Sequence, residues 1–174
     1  MPSAIVVVGS LNVDIVVRTP RFPQPGETLT GSSHALFPGG KGGNQAYAAA
    51  RLAAPGVGVR MVGQVGADGH AAWLRDNLAA GGVDVAAVEG DPAVGTGTAL
   101  IVIDGAGQNQ IIVVPGSNGT LTPARLRTAA FEGASHVLLQ LEVPMETVLA
   151  AARLARSAGA KVVLDPAPAR ALPD

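Results

Sequence analysis

The apolar positions of this chain come as short continuous runs, separated by polar stretches that end on glycine. Residues 4–9 read Ala-Ile-Val-Val-Val-Gly. A strand with one wet face alternates apolar with polar, so an unbroken β-branched run predicts a strand covered on both faces, in mid-sheet. Residues 57–65, 83–88, 135–141 and 161–165 supply further strands. Between them lie segments of helical composition. Residues 44–54 are Ala-rich and stopped by Pro55-Gly56, and residues 69–80 end at Gly81-Gly82. Residues 122–131 open on Thr122-Pro123, an N-cap followed by a first helical residue, and residues 145–157 form the last helix. This β-α rhythm predicts an α/β fold: a doubly wound, mostly parallel sheet with right-handed crossovers, Rossmann-like in type.

Two stretches depart from the rhythm. Residues 15–17 and 27–37 read as short strands around a loop holding Pro20, Pro23, Pro25 and Gly26, an excursion from the main sheet. Residues 98–103 and 110–114 are apolar runs joined by Asp104-Gly105-Ala106-Gly107-Gln108-Asn109, a hairpin signal. A lone two-stranded ribbon is marginal in water. The hairpin is therefore expected to pair with the excursion and, through its remaining apolar surface, with a second subunit in a homodimer.

Composition narrows the picture. A chain of 174 residues has the length of one domain with a sizeable core, and 48% hydrophobic against 14% charged residues argues against disorder. With only 3% aromatics, the core must be aliphatic, as in helix-covered parallel sheets. A formal net charge of −1 leaves no electrostatic footprint for nucleic acid. The absence of cysteine excludes disulfides, thiolate metal sites and a cysteine nucleophile. The N-terminus lacks the pattern of a signal peptide and no window resembles a membrane span, so the expectation is a cytoplasmic protein that does not engage membranes.

The chemistry gathers around Pro38-Gly39-Gly40-Lys41-Gly42-Gly43-Asn44-Gln45-Ala46, where four glycines, a cation and a carboxamide precede the helical run. Glycine admits close approach of a ligand, and a helix start offers free N–H groups to hydroxyls or to an anion. Two nucleotide motifs fail here. A Walker A loop needs Ser or Thr after its lysine, and Lys41 is followed by Gly42; a dinucleotide fingerprint from Gly40 would need Gly or Ala where Gln45 stands. Asn12 and Asp14 follow the first strand and alternate, so in extended chain they face one side. They suit vicinal hydroxyls, or equally an Asx turn bonding local backbone. Glu142 follows the strand at residues 135–141 and falls at the same carboxyl rim, where open α/β sheets bind ligands; singly it also reads as a solvated rim carboxylate. Together these groups make the donor and acceptor set of a polyol site. His34, His70 and His136 stand isolated, as structural or surface histidines.

The chain resembles the ribokinase-like (pfkB) family of carbohydrate kinases. The resemblance is carried by Gly9-Ser10-Leu11-Asn12-Val13-Asp14, Phe22-Pro23-Gln24-Pro25-Gly26-Glu27-Thr28, Gly39-Gly40-Lys41-Gly42-Gly43-Asn44-Gln45-Ala46, Gly95-Thr96-Gly97-Thr98-Ala99, Val113-Val114-Pro115-Gly116-Ser117-Asn118, Gln140-Leu141-Glu142-Val143-Pro144 and Asp165-Pro166-Ala167-Pro168-Ala169, in family order. It leans toward the family's ribose kinases over its fructose or nucleoside kinases. The resemblance implies ATP-dependent phosphorylation of D-ribose to ribose 5-phosphate, with Mg2+ and a monovalent cation such as K+. Carried over by position, Asn12, Asp14, Gly40, Lys41, Asn44 and Glu142 would grip the sugar. Segments of about 13–37 and 96–116 would form a β-sheet lid that also dimerises, with Ala99 and Ile101 facing the sugar.

The family's catalytic Gly-Ala-Gly-Asp motif, its Asn-x-x-Glu motif and most of its nucleotide pocket have no counterpart in these 174 residues; Gly105-Ala106-Gly107 is followed by Gln108 in a hairpin turn. Residues 1–174 therefore read as an incomplete ribokinase-like domain that holds the sugar site and lid and is inactive alone, lacking a base and charge neutralisation. The competing expectations are a non-catalytic ribose-binding or dimerisation module and a sister sugar or nucleoside kinase.

Overall fold

A computed structural model describes residues 4–173. Its strands are β1 (Ala4–Val8), β2 (Asn12–Arg18), β3 (Ser33–Gly39), β4 (Gly58–Gly66), β5 (Val83–Asp91), β6 (Gly97–Ile103), β7 (Asn109–Val114), β8 (Ala134–Leu139) and β9 (Lys161–Leu164), and its helices α1 (Lys41–Leu52), α2 (His70–Ala80) and α3 (Met145–Ser157). The main sheet runs β5-β4-β1-β8-β9 with every pairing parallel. β1 is its centre, as an all-apolar strand must be. Successive side chains of a strand point to opposite faces. Val6 and Val8 accordingly join Val137, Val148 and Ala151 on the α3 face, while Val7 joins Met61, Ala46 and Leu74 on the α1–α2 face. Both faces are covered, which makes the α/β sheet doubly wound.

The second sheet runs β3-β2-β6-β7. β2 pairs antiparallel with β3 and parallel with β6, and β6 pairs antiparallel with β7, so the hairpin does add to the excursion. Register places Phe37, Asp14, Ala99 and Val113 in one row across the four strands, and Leu36, Ile15, Leu100 and Ile112 in the adjacent row on the opposite face.

Two expectations need correction. Residues 122–131 are not an α-helix but two 3-10 turns, Pro123–Arg125 and Thr128–Phe131, with extended backbone at Leu126 and Arg127. The buried residues here are Leu121, Leu126 and Phe131, five apart. On an α-helix, five residues turn the chain by about 500°, which would point successive members to different sides. Breaking the helix lets all three reach the core. The second correction concerns the glycine stretch: α1 begins at Lys41, so Gly42, Gly43 and Asn44 form its first turn rather than a loop before it. No helix among the described residues is long and apolar enough to cross a membrane.

Candidate sugar-binding site

The site is built where the β1–β2 connection meets the start of α1. Gly40 caps α1 with φ of 85°, a backbone state that side chains avoid, and a Cβ there would lie 2.8 Å from the Asn12 nitrogen. It offers no side chain to the helix's free N–H groups. Those groups are satisfied from elsewhere. The Lys41 N–H donates to Glu142 Oε2 at 3.0 Å, the Gly42 N–H to Ser10 Oγ at 3.3 Å and the Gly43 N–H to the Ser10 carbonyl at 2.9 Å. Ser10 Oγ in turn donates to Glu142 Oε2 at 2.6 Å. The helix start is therefore already occupied, and it is no open anion cradle. Glu142 takes the place of a capping side chain, where the helix dipole favours its charge.

Asn12 and Asp14 lie within β2, on one face, rather than in an Asx turn. Asn12 is buried, and its Oδ1 accepts from Asn118 Nδ2 at 2.7 Å. Asp14 packs over Gly39, which has no Cβ to obstruct it, and has no hydrogen-bond partner among the described residues. Burial, and then the negative charge of Glu142, raise its carboxyl above the ordinary aspartate value. A cavity of about 440 Å³ opens here, lined by Asn12, Val113, Leu141, Glu142, Pro168 and Arg170 among others. The wall combines the Glu142 carboxylate, the Asn12 carboxamide, the Arg170 guanidinium and apolar side chains, and Asp14 lies near enough to feel the charge of Glu142; such a set suits a polyhydroxylated ring with one CH-bearing side.

Of the residues singled out in the sequence, Asn12, Asp14, Gly40, Lys41 and Glu142 converge. Asn44 is exposed and lines another cavity, of about 280 Å³, whose wall includes Gly39, the glycine beneath Asp14, together with Tyr47, Leu74 and Asn77. Ala99 and Ile101 lie on the Asp14 side of the second sheet, paired with Asp14 and Val16. Sequence reasoning missed three contributors. Val113 pairs with Ala99 and reaches the cavity, which hairpin register would have revealed. Ser10 holds Glu142, and Asn118 holds Asn12. Both polar side chains stood within the quoted motifs, yet their burial is a tertiary fact. Among the described residues, no three His, Cys, Asp or Glu side chains gather as ligands for a metal ion.

Comparison with known proteins identifies the family. The profile of pfkB family carbohydrate kinases matches residues 3–174. The chain belongs to that family. It is 43% identical over 170 residues to the ribokinase of Bacillus subtilis (strain 168), covering 97% of this chain and 57% of that protein. A deoxyribokinase from Salmonella typhi is 37% identical over 167 residues, covering 95% of this chain and 54% of the relative. The solved structure of Arabidopsis thaliana ribokinase complexed with ribose and ATP superposes with a TM-score of 0.85 at 34% identity, over 96% of this chain and 54% of that one. This member of the family thus spans a little over half the length of the curated relatives it matches.

Proposed function

We propose that this chain provides the sugar site and lid of a ribokinase-type enzyme that phosphorylates D-ribose to ribose 5-phosphate with ATP. The observation that carries the reading is the convergence of Asn12, Asp14 and Glu142 at the mouth of the glycine-started helix, facing the apolar row of Ala99 and Val113. Asp14 and Glu142 accept from sugar hydroxyls, Asn12 and Lys41 donate to them, and the second sheet covers the ring and excludes water. ATP, Mg2+ and a monovalent cation such as K+ enter through family membership. Residues 1–174 contain no Gly-Ala-Gly-Asp motif, so on their own they bind sugar without turning over nucleotide. D-Ribose-dependent release of ADP by the protein at its full genomic length, against a no-sugar control, tests the activity; the same turnover by residues 1–174 alone would refute the division of labour.

The outer face of the second sheet supports a homodimer through the lid, since Leu36, Leu100, Ile112 and Val114 are all exposed there. A second reading is favoured by the resemblance to a deoxyribokinase at 37% identity: the sugar is 2-deoxyribose. Competition between D-ribose and 2-deoxy-D-ribose for turnover separates the two.

A further inference from the structure

We propose that Asn118 is a positioning residue for the sugar site: it holds the Asn12 carboxamide with its nitrogen toward the cavity, making Asn12 an obligate donor to a substrate hydroxyl. The inference rests on the sugar-kinase reading above, but the orientation itself is dictated by the backbone. The Leu11 N–H can only donate, and it meets Asn118 Oδ1 at 2.8 Å. Asn118 Nδ2 must then lie on the other side, where it meets the Leu11 carbonyl at 3.0 Å and Asn12 at 2.7 Å. Since that nitrogen only donates, the Asn12 atom it meets has to be Oδ1, and Asn12 Nδ2 is turned away. This nitrogen has no partner among the described residues and is not a buried orphan, while Asn12 lines the cavity of about 440 Å³ beside Val113 and Glu142. Asn118 is 1% exposed and absent from the cavity wall, so it does not meet a ligand there itself and reaches the site through Asn12 and the Leu11 backbone.

The chemistry of the cavity gives the orientation its importance. The nearby carboxylates of Asp14 and Glu142 can only accept. A sugar hydroxyl that donates to one of them still has oxygen lone pairs, and Asn12 Nδ2 is the carboxamide donor that meets them. Reversing the amide would put a third acceptor into the site. Asn118 also ties the β1–β2 connection to the lid. Its N–H donates to the Pro115 carbonyl just after β7, and a Cβ on Gly97 at the start of β6 would collide with both asparagines.

The test uses the protein at its full genomic length. Asn118→Asp keeps an acceptor for the Leu11 N–H but sets a carboxylate oxygen against Asn12, which must reverse to donate to it. The expected results are three. In the wild type, D-ribose shifts the NMR signals of the Asn12 side-chain amide and leaves those of Asn118 in place. In Asn118→Asp without sugar, the Asn12 amide protons already move as they engage the carboxylate. The D-ribose KM of that variant rises about tenfold with kcat little changed, the loss of one hydrogen bond. An unshifted Asn12 amide with wild-type KM overturns the proposal. Should Asn118→Asp not fold, Asn12→Asp leaves Asn118 satisfied while turning the cavity-facing atom into an acceptor; measured well below its own unfolding transition, it must weaken ribose about tenfold, and wild-type affinity overturns the proposal. If the wild type gives no response to ribose, the sugar reading fails, and the Asn12 amide signals still decide the orientation.

Discussion

Replacing Gly42 by alanine sets two effects of opposite sign against each other. Gly42 lies inside α1, where intrinsic propensity favours alanine by about 0.5–1 kcal/mol. Its Cβ, however, would fall 2.6 Å from the Ser10 nitrogen, 2.7 Å from the Gly9 carbonyl carbon and 2.8 Å from the Ser10 oxygen. These are backbone atoms and have no rotamer through which to withdraw, so the helix itself must retreat. Overpacking of this kind costs about 1–3 kcal/mol. The retreat also stretches the Lys41 and Gly42 N–H bonds to Glu142 and Ser10, at about 1 kcal/mol for each bond lost. Sterics win, and the net expectation is a loss of about 2–4 kcal/mol together with weakened sugar binding. Gly58→Ala is the matched control. Nothing lies within 4 Å of a Cβ there and its φ is not positive, so it should be neutral or gain about 0.4–1 kcal/mol. Urea unfolding of both variants decides the matter: a Gly42→Ala protein as stable as the wild type would refute the close approach of α1 to the β1–β2 connection.

Three further outcomes follow from the same geometry. Asp14 has a folded value above its unfolded one, so its ionisation opposes folding; the penalty is absent below the ordinary aspartate value, grows as pH rises through the raised one, and is complete above it. Asp14→Asn should therefore raise the urea midpoint at pH 7 but not at strongly acid pH, while weakening D-ribose about 10- to 150-fold by the loss of a charge-assisted acceptor; an unchanged affinity in calorimetry would remove Asp14 from the grip. Glu27, held by both guanidinium nitrogens of Arg21 and by the Gln24 N–H, has its carboxyl lowered to about 2. The loop tie it makes is intact above the ordinary glutamate value and lost as pH falls through about 2; NMR titration should find that midpoint, and Arg21→Ala should return it toward normal. Ile112→Asp places a charge in the exposed apolar row and should convert a dimer to a monomer in sedimentation, with a secondary structure content unchanged by circular dichroism; a variant that sediments like the wild type would remove this face from the interface.

The sheet was readable because its strands are local patterns: the β-branched run of β1 announces burial on both faces, and the glycine stops mark the helix ends. The 3-10 turns at 123–131 were not, because Thr122-Pro123 is a sound helix opening and only the need to bury Leu126 and Phe131 together overrides it. At the site, Asn12, Asp14 and Glu142 were found through strand-end placement and family motifs. The start of α1 at Lys41 was not, because Gly42 and Gly43 are poor helix residues, stabilised there by contacts to Ser10 that are 32 and 33 positions away in the chain. Asn118 went unnoticed for the same reason. Its partners, Leu11 and Asn12, lie more than a hundred residues earlier, and only the folded chain brings a hydrogen-bonding asparagine to them.

The central claim is that the carboxylates beside the start of α1 hold a sugar. Calorimetric titration of D-ribose into the protein at its full genomic length, beside Glu142→Gln, tests it most directly. The variant keeps an oxygen for Ser10 and the Lys41 N–H but loses the charge. A saturable heat in the wild type, weakened about tenfold or more in Glu142→Gln, is the predicted result; no heat in the wild type, or equal heats in both, would contradict it.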